Sequence, residues 1–319
     1  MLGKAARRLD RAVFRPDSLN PDLVSAIALA GPVLAGLVLF RMAAAIFLLL
    51  AVAIGGVTHL ALRLRRQRPQ TSPIIVAIVG VALCGPLASP ALAALVALLA
   101  SVLEVLRSSF WPRSRIHAGV LAYAVVYLGT GGAVAAYTRP GSEQLFPEPI
   151  AQWSQFYGGS THFLEPITLY VGNVAGPVFA TSLLAVVIGL AWLWYARRLS
   201  LLALLTFLVA GGLISVGLHY DPVFQLVSGP TWFVVGFALC DRRMLPGHPL
   251  ARPVLALAAG VIGIGLRAAH LYIEALFVTV AVVELTYSVL VLLLEGGVAL
   301  LRQRFNARRS LAEKGSASA

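Results

Sequence analysis

Glu284 stands near the middle of the apolar run 273–294, close to Tyr287. A carboxylate at membrane depth is costly and by default marks an ion path. The alternative is a hydrogen-bonded structural Glu that faces the bundle interior. Two further groups could frame such a path. Cys84-Gly85-Pro86 and Ser228-Gly229-Pro230 each put a small residue, Gly and Pro inside a short apolar segment. Pro removes a backbone donor and Gly adds freedom, so a helix tends to break there. Broken helices in corresponding positions point to a central site. A third group runs through Gly158-Gly159-Ser160-Thr161-His162, then Gly172-Asn173 and Gly176, to Thr181-Ser182. Composition makes it a flexible turn leading into a helix. A helix start rich in Gly and Ser/Thr also offers free amides to an anion such as phosphate.

Other residues carry less chemistry. The six histidines, at 59, 117, 162, 219, 248 and 270, show no HxxH, HxxxH or HExxH spacing, so no metal site is expected from them. Cys84 and Cys240 are too few for a disulfide framework and read as buried packing residues. Walker A, GxGxxG and GxSxG patterns are absent, which leaves ATP hydrolysis and a dinucleotide-binding domain unsupported. Glu104 near Arg107, and Glu295, lie at span ends, where snorkelling and pairing account for them. Asp241 beside Arg242 and Arg243 reads as structural. Trp192, Trp194 and Tyr195 beside Arg197 and Arg198 read as an interfacial belt.

The elements that must position these residues follow from composition. Of 319 residues, 59% are hydrophobic and only 12% charged, with mean hydropathy +0.86. A soluble domain is nearer half apolar and a quarter charged. The apolar runs are near-continuous rather than alternating, which excludes a membrane barrel. Ten spans are expected, at about 22–40, 43–62, 73–88, 91–106, 117–136, 172–195, 199–218, 223–240, 252–268 and 273–294. All but three of the 25 basic residues fall in the terminal arms and the even-numbered loops; the three are Arg41, Arg139 and Arg267. That bias puts both termini in the cytoplasm. The net charge of +12 is then a topology signal, with the lipid bilayer as its partner and no nucleic acid.

The fold expected is an all-α polytopic membrane protein, with broken third and eighth helices. A basic arm (1–21) precedes a first five-helix repeat (22–136). The non-helical stretch 137–171 follows on the outer face, then a second five-helix repeat (172–294) and a basic tail (295–319). Two halves of five spans each have opposite orientations, the geometry of an inverted repeat.

The region 156–294 resembles the RnfD/NqrB family, membrane subunits of the Rnf electron-transport complex and the sodium-pumping NADH:quinone reductase. The resemblance rests on Val171-Gly172-Asn173 with Gly176 and Thr181-Ser182; on Leu226-Val227-Ser228-Gly229-Pro230 with Gly236-Phe237-Ala238 and Cys240-Asp241; and on Gly263, Gly265, Arg267 and Glu274. Cys84-Gly85-Pro86 stands where the family often has Leu-Pro-Pro.

The resemblance implies ten spans in two inverted halves and electron transfer through flavin, coupled to Na+ or H+ movement. It implies FMN joined through its phosphate to a Thr in the place of Thr161, with Ser160, Gly172 and Asn173 around the cofactor. Thr168 and Thr181 are lesser attachment candidates. Gln155, Gly158 and Ser160 stand where the family motif has Asp, Ser and Ala. Riboflavin is bound by some relatives. Other membrane redox subunits are the implied partners, in a bacterial-type plasma membrane. A non-redox solute transporter of the same fold, or a membrane component of a natural-product pathway, stays open at this point.

Overall fold

A computed structural model of the chain describes residues 19–66, 69–157, 165–227, 230–246, 248, 250–269 and 271–294. Helices dominate, and proline opens several of them. Pro21, Pro73, Pro90, Pro149 and Pro166 each stand in a first helical turn, where the missing N–H leaves no bond unmade.

The first helical segment, α1 (Pro21–Leu64), has 44 residues and a sharp non-helical break at Arg41, with φ 45° and ψ −109°. A straight helix of that length would measure about 66 Å. Instead Pro21 and Asp22 line the same cavity as His59 and Arg63. The segment is therefore a hairpin of two antiparallel helices, which fits the two spans expected there.

Helix α2 (Pro73–Ala82) is short. The chain after it, through Cys84-Gly85-Pro86, is not helical. Its backbone is paired on both sides. Gly85 and Leu87 donate to the carbonyls of Val134 and Ala136 at 2.9 and 3.1 Å. The carbonyls of Ala82 and Cys84 accept from Phe179 and Val178 at 3.2 and 2.9 Å. An irregular segment at membrane depth needs such partners, because no water supplies them. Helix α3 (Pro90–Phe110) starts at a Ser89 cap whose hydroxyl accepts from Leu92 N–H at 3.3 Å. Helix α4 (Ala118–Gly129) leads through a 3-10 turn (Ala133–Ala135) to the paired segment.

The stretch 137–171, expected to be non-helical, carries two short helices, α5 (Pro149–Gln155) and α6 (Pro166–Val171). The sixth span, expected from 172, becomes helical only at α7 (Leu183–Tyr195). Gly172 ends α6 with φ 92°, and a Cβ there would lie 2.7 Å from Ser182 Cα. Next come α8 (Leu201–Gly217), α9 (Pro222–Val227) and α10 (Thr231–Val234), which runs into a π turn (Val235–Leu239). The eighth span is thus interrupted at Pro230, while Ser228 and Gly229 lie outside the described residues. Helix α11 (Ala251–Gly265) ends in a 3-10 turn (Leu266–Ala269), and α12 is Glu274–Leu294.

By length and composition α1, α3 and α12 can cross a membrane, while α2, α4, α7, α8 and α11 are shorter apolar helices. Among the described residues there is no strand, only isolated bridges at Thr138–Gly176 and Leu199–Asp241. The first half of α1 packs antiparallel on α7, where Trp192 Nε1 donates to Val24 O at 3.1 Å. The core is continuous across both halves of the chain, with Phe47, Phe179, Phe207, Phe233 and Phe277 fully buried.

Candidate functional site

Two buried polar clusters lie at opposite ends of the helices, each built around one arginine. At the first, Arg107 of α3 grips Glu104 with Nε and Nη2 at 2.9 and 2.8 Å. Its Nη1 reaches Gln70 Oε1 at 2.8 Å and Ser114 O at 3.3 Å. Glu104 also accepts the Thr71 amide at 2.9 Å and the Ser108 hydroxyl at 3.0 Å. The pairing of Glu104 and Arg107 was legible from spacing. Snorkelling is corrected: Glu104 is fully buried, and the fork-shaped bidentate bond with its extra donors satisfies it in place.

The same end holds Glu284. It is buried on α12, and its Oε2 accepts the His117 amide at 2.7 Å at the start of α4. Arg115 N–H donates to Ser288 Oγ at 2.9 Å, and Arg115 Nη1 to Arg243 O at 2.8 Å. Asp241 accepts from Arg198 at 2.9 Å, and Arg243 bonds Asp22 at 3.1 Å. Arg198 also donates to Pro21 O at 3.2 Å. Residues from the chain start and from the loops near 70, 115, 198 and 242 therefore meet at one end.

At the opposite end Arg267 is buried beside the interrupted eighth span. Nη1 donates to the Gln225 carbonyl and, at 3.4 Å, to Gln225 Oε1; Nη2 donates to Thr231 Oγ1 at 2.8 Å. One guanidinium thus joins α9 to α10 across the interruption. Two buried carboxylates, Glu148 and Glu274, act on it electrostatically. Glu148 caps α5, accepting from Ile150 and Ala151 at 2.7 and 2.9 Å. Glu274 hydrogen-bonds the Tyr137 hydroxyl, which lies 3.3 Å from that of Tyr123. Sequence reading counted Arg267 as one of three basic residues off the cytoplasmic side and as part of the family resemblance, but not as a site residue. The signal that finds it is an arginine at the end of an apolar span with no basic neighbours.

Glu148 lies outside the spans. Burial pushes its carboxyl up to about 7, opposed by the Ile150 amide, by Arg267 and by the Ala151 amide. The folded chain then keeps a proton that the unfolded chain has already lost. Thermal stability is expected to fall as pH rises from about 4.5 to about 7, and Glu148→Gln to flatten that slope in a pH series of melting curves.

The other sequence candidates are placed as follows. Cys84 and Gly85 are buried in the paired segment, with Pro86 beside them. Four of the amides of 172–182, read as free donors for an anion, are bonded within the chain. Gly172 and Asn173 both bond the Thr168 carbonyl, and Val178 and Phe179 bond the broken third span. The Thr168 and Thr181 hydroxyls bond the carbonyls of Glu165 and Pro177. Thr161 and Ser160 lie outside the described residues. Asn173 is exposed, Phe156, Tyr157 and Tyr170 present exposed aromatic faces, and buried Trp153 has an Nε1 donor without a partner.

Among the curated proteins, none matches this chain. The sequence pattern of the NQR2, RnfD, RnfE family matches residues 22–290, most of the chain. With its several apolar helices, the chain is a multi-pass membrane protein and belongs to the NQR2, RnfD, RnfE family of Rnf- and Nqr-type membrane subunits.

Proposed function

We propose that the chain is an electron-transfer subunit that works beside other membrane redox subunits and carries flavin, with its ion path along the interrupted spans and Glu284. Family membership carries this reading. FMN joined through its phosphate to Thr161 is the cofactor proposed, with Ser160, Gly172 and Asn173 around it. When bound, the flavin supplies one-electron redox chemistry. The chain contributes the aromatic and amide surface described above.

Ten crossings in two inverted halves, with both termini cytoplasmic, belong to the same proposal. Two correspondences support them. Arg107, at the end of the fourth span, reaches Gln70 just before the third, 37 residues away. Arg267, at the end of the ninth, reaches Gln225 at the start of the eighth, 42 residues away. The same residue types thus close the same pair of spans at opposite ends, as an inverted repeat requires.

The test is mass spectrometry and in-gel flavin fluorescence of protein produced in a host with the flavin transferase. Wild type is expected to carry an FMN-sized mass increment, and Thr161→Ala to lose it. Wild type without the increment would remove covalent FMN from the proposal.

A further inference from the structure

A buried polar atom without a partner costs roughly 1–3 kcal/mol, so each one calls for an explanation. At the Arg107 end they include Thr71 Oγ1, Ser114 Oγ, His117 Nδ1, Arg198 Nε and Glu284 Oε1. Two of these, on His117 and Glu284, belong to residues already joined, since the His117 amide holds Glu284 Oε2. Both residues are almost wholly enclosed, at 3% and 2% exposure. Nδ1 belongs to the residue whose amide holds the carboxylate, but it and Oε1 are not hydrogen-bonded to each other here, so a proton shared between them requires a turn of the side chains about that held amide.

The donor set decides the ligand. It offers one carboxylate oxygen and one imidazole nitrogen. Na+ is a hard ion and favours a shell of oxygens, which a ring nitrogen does not complete. A proton needs only one oxygen to bind and one nitrogen to accept its hydrogen bond. A cavity of about 270 Å³ runs alongside, lined by Ile116 and Ala118 on either side of His117, by Leu285 next to Glu284, and by Arg107 and Phe110. The charged and titratable groups acting on the pair are Arg107 of α3, Cys240 at the end of the eighth span, and Asp241 and Arg243 just after it.

We infer that Glu284 and His117 form a proton-binding pair. Glu284 Oε1 takes one proton from a hydronium ion, forming an O–H bond and releasing water. The Nδ1 lone pair of His117 accepts the new hydrogen bond, and no electron moves. This rests on the ion-path part of the proposed function and makes H+ the ion held there; it is independent of flavin.

The experiment is infrared difference spectroscopy of the full chain in nanodiscs, with pH stepped in H2O and in D2O. A carboxylic acid C=O band is expected to appear on acidification, shift in D2O, vanish in Glu284→Gln and move in frequency in His117→Asn. Adding Na+ at constant pH and ionic strength should leave the band unchanged. Loss of the band on adding Na+ would overturn the inference in favour of a cation site. Absence of any Glu284-dependent band would leave Glu284 as a helix cap only. Gln keeps an oxygen for the His117 amide. Should that variant still not fold, 13C-glutamate labelling of wild type and the His117→Asn shift identify the band. The same bands are expected in Thr161→Ala protein, so failure of the flavin reading and failure of this one are told apart.

Discussion

Arg267→Leu is expected to destabilise the protein by roughly 3–5 kcal/mol, the range for removing one partner from a buried charged network. It should appear as a large drop in the melting temperature of purified protein, or as loss of the monodisperse peak on size exclusion. Three losses coincide. The Gln225 carbonyl loses its donor, Thr231 loses the link that joins α10 to α9, and Glu148 and Glu274 lose the cation between them. Leu fills the volume but supplies none of the five N–H donors. Arg267→Lys is expected to fall between wild type and Leu. It keeps the charge, but a single ammonium lacks the flat fork that reaches both sides of the interruption at once. A Leu variant as stable as wild type would show that the carbonyl, hydroxyl and carboxylates find partners without the guanidinium.

Gly85→Val should also prevent normal folding. A Cβ at this position would press into the backbone of Ala136, not into a side chain that could turn away. Separation of the two segments would break the bonds from Gly85 to Val134 and from Leu87 to Ala136. Overpacking usually costs 1–3 kcal/mol, and a rigid backbone neighbour puts this site at about 3 kcal/mol. Gly56→Ala, at a position with nothing around its missing Cβ, is the control and should behave like wild type apart from a small gain in helix propensity. Melting curves of the two variants side by side make the comparison.

What the sequence revealed depended on whether the cause was local. Gly85-Pro86 signalled the end of α2 because both residues act on their own backbone, and the prolines at the starts of α2 and α3, Pro73 and Pro90, act the same way. The turn-back at Arg41 was legible, since spans at 22–40 and 43–62 were expected on either side of it; what could not be seen is how sharp the break is, with no loop between the two helices. The short helices α5 and α6 hid in a stretch too polar for a span, although the Glu148-Pro149 and Glu165-Pro166 starts were there to read. Glu284 stood out by its type, yet its partner His117 lies 167 residues away, and no spacing rule reaches that far. Arg267 entered through the charge count and the family resemblance, and Glu274 through the resemblance alone, neither as a site residue. Their joint site with Glu148 needed three distant segments to meet.

The double pairing of the broken third span has a consequence for how the protein is made. The carbonyls of Ala82 and Cys84 find their donors only at Phe179 and Val178. Those residues leave the ribosome roughly ninety positions later, which at about 5–20 residues per second is some 5–20 s. During that interval the newly inserted first half holds bare peptide oxygens that lipid cannot satisfy. Biogenesis is thus obliged to shelter the early helices until the late ones arrive. Severing the gene between the halves would require both fragments to be synthesised together.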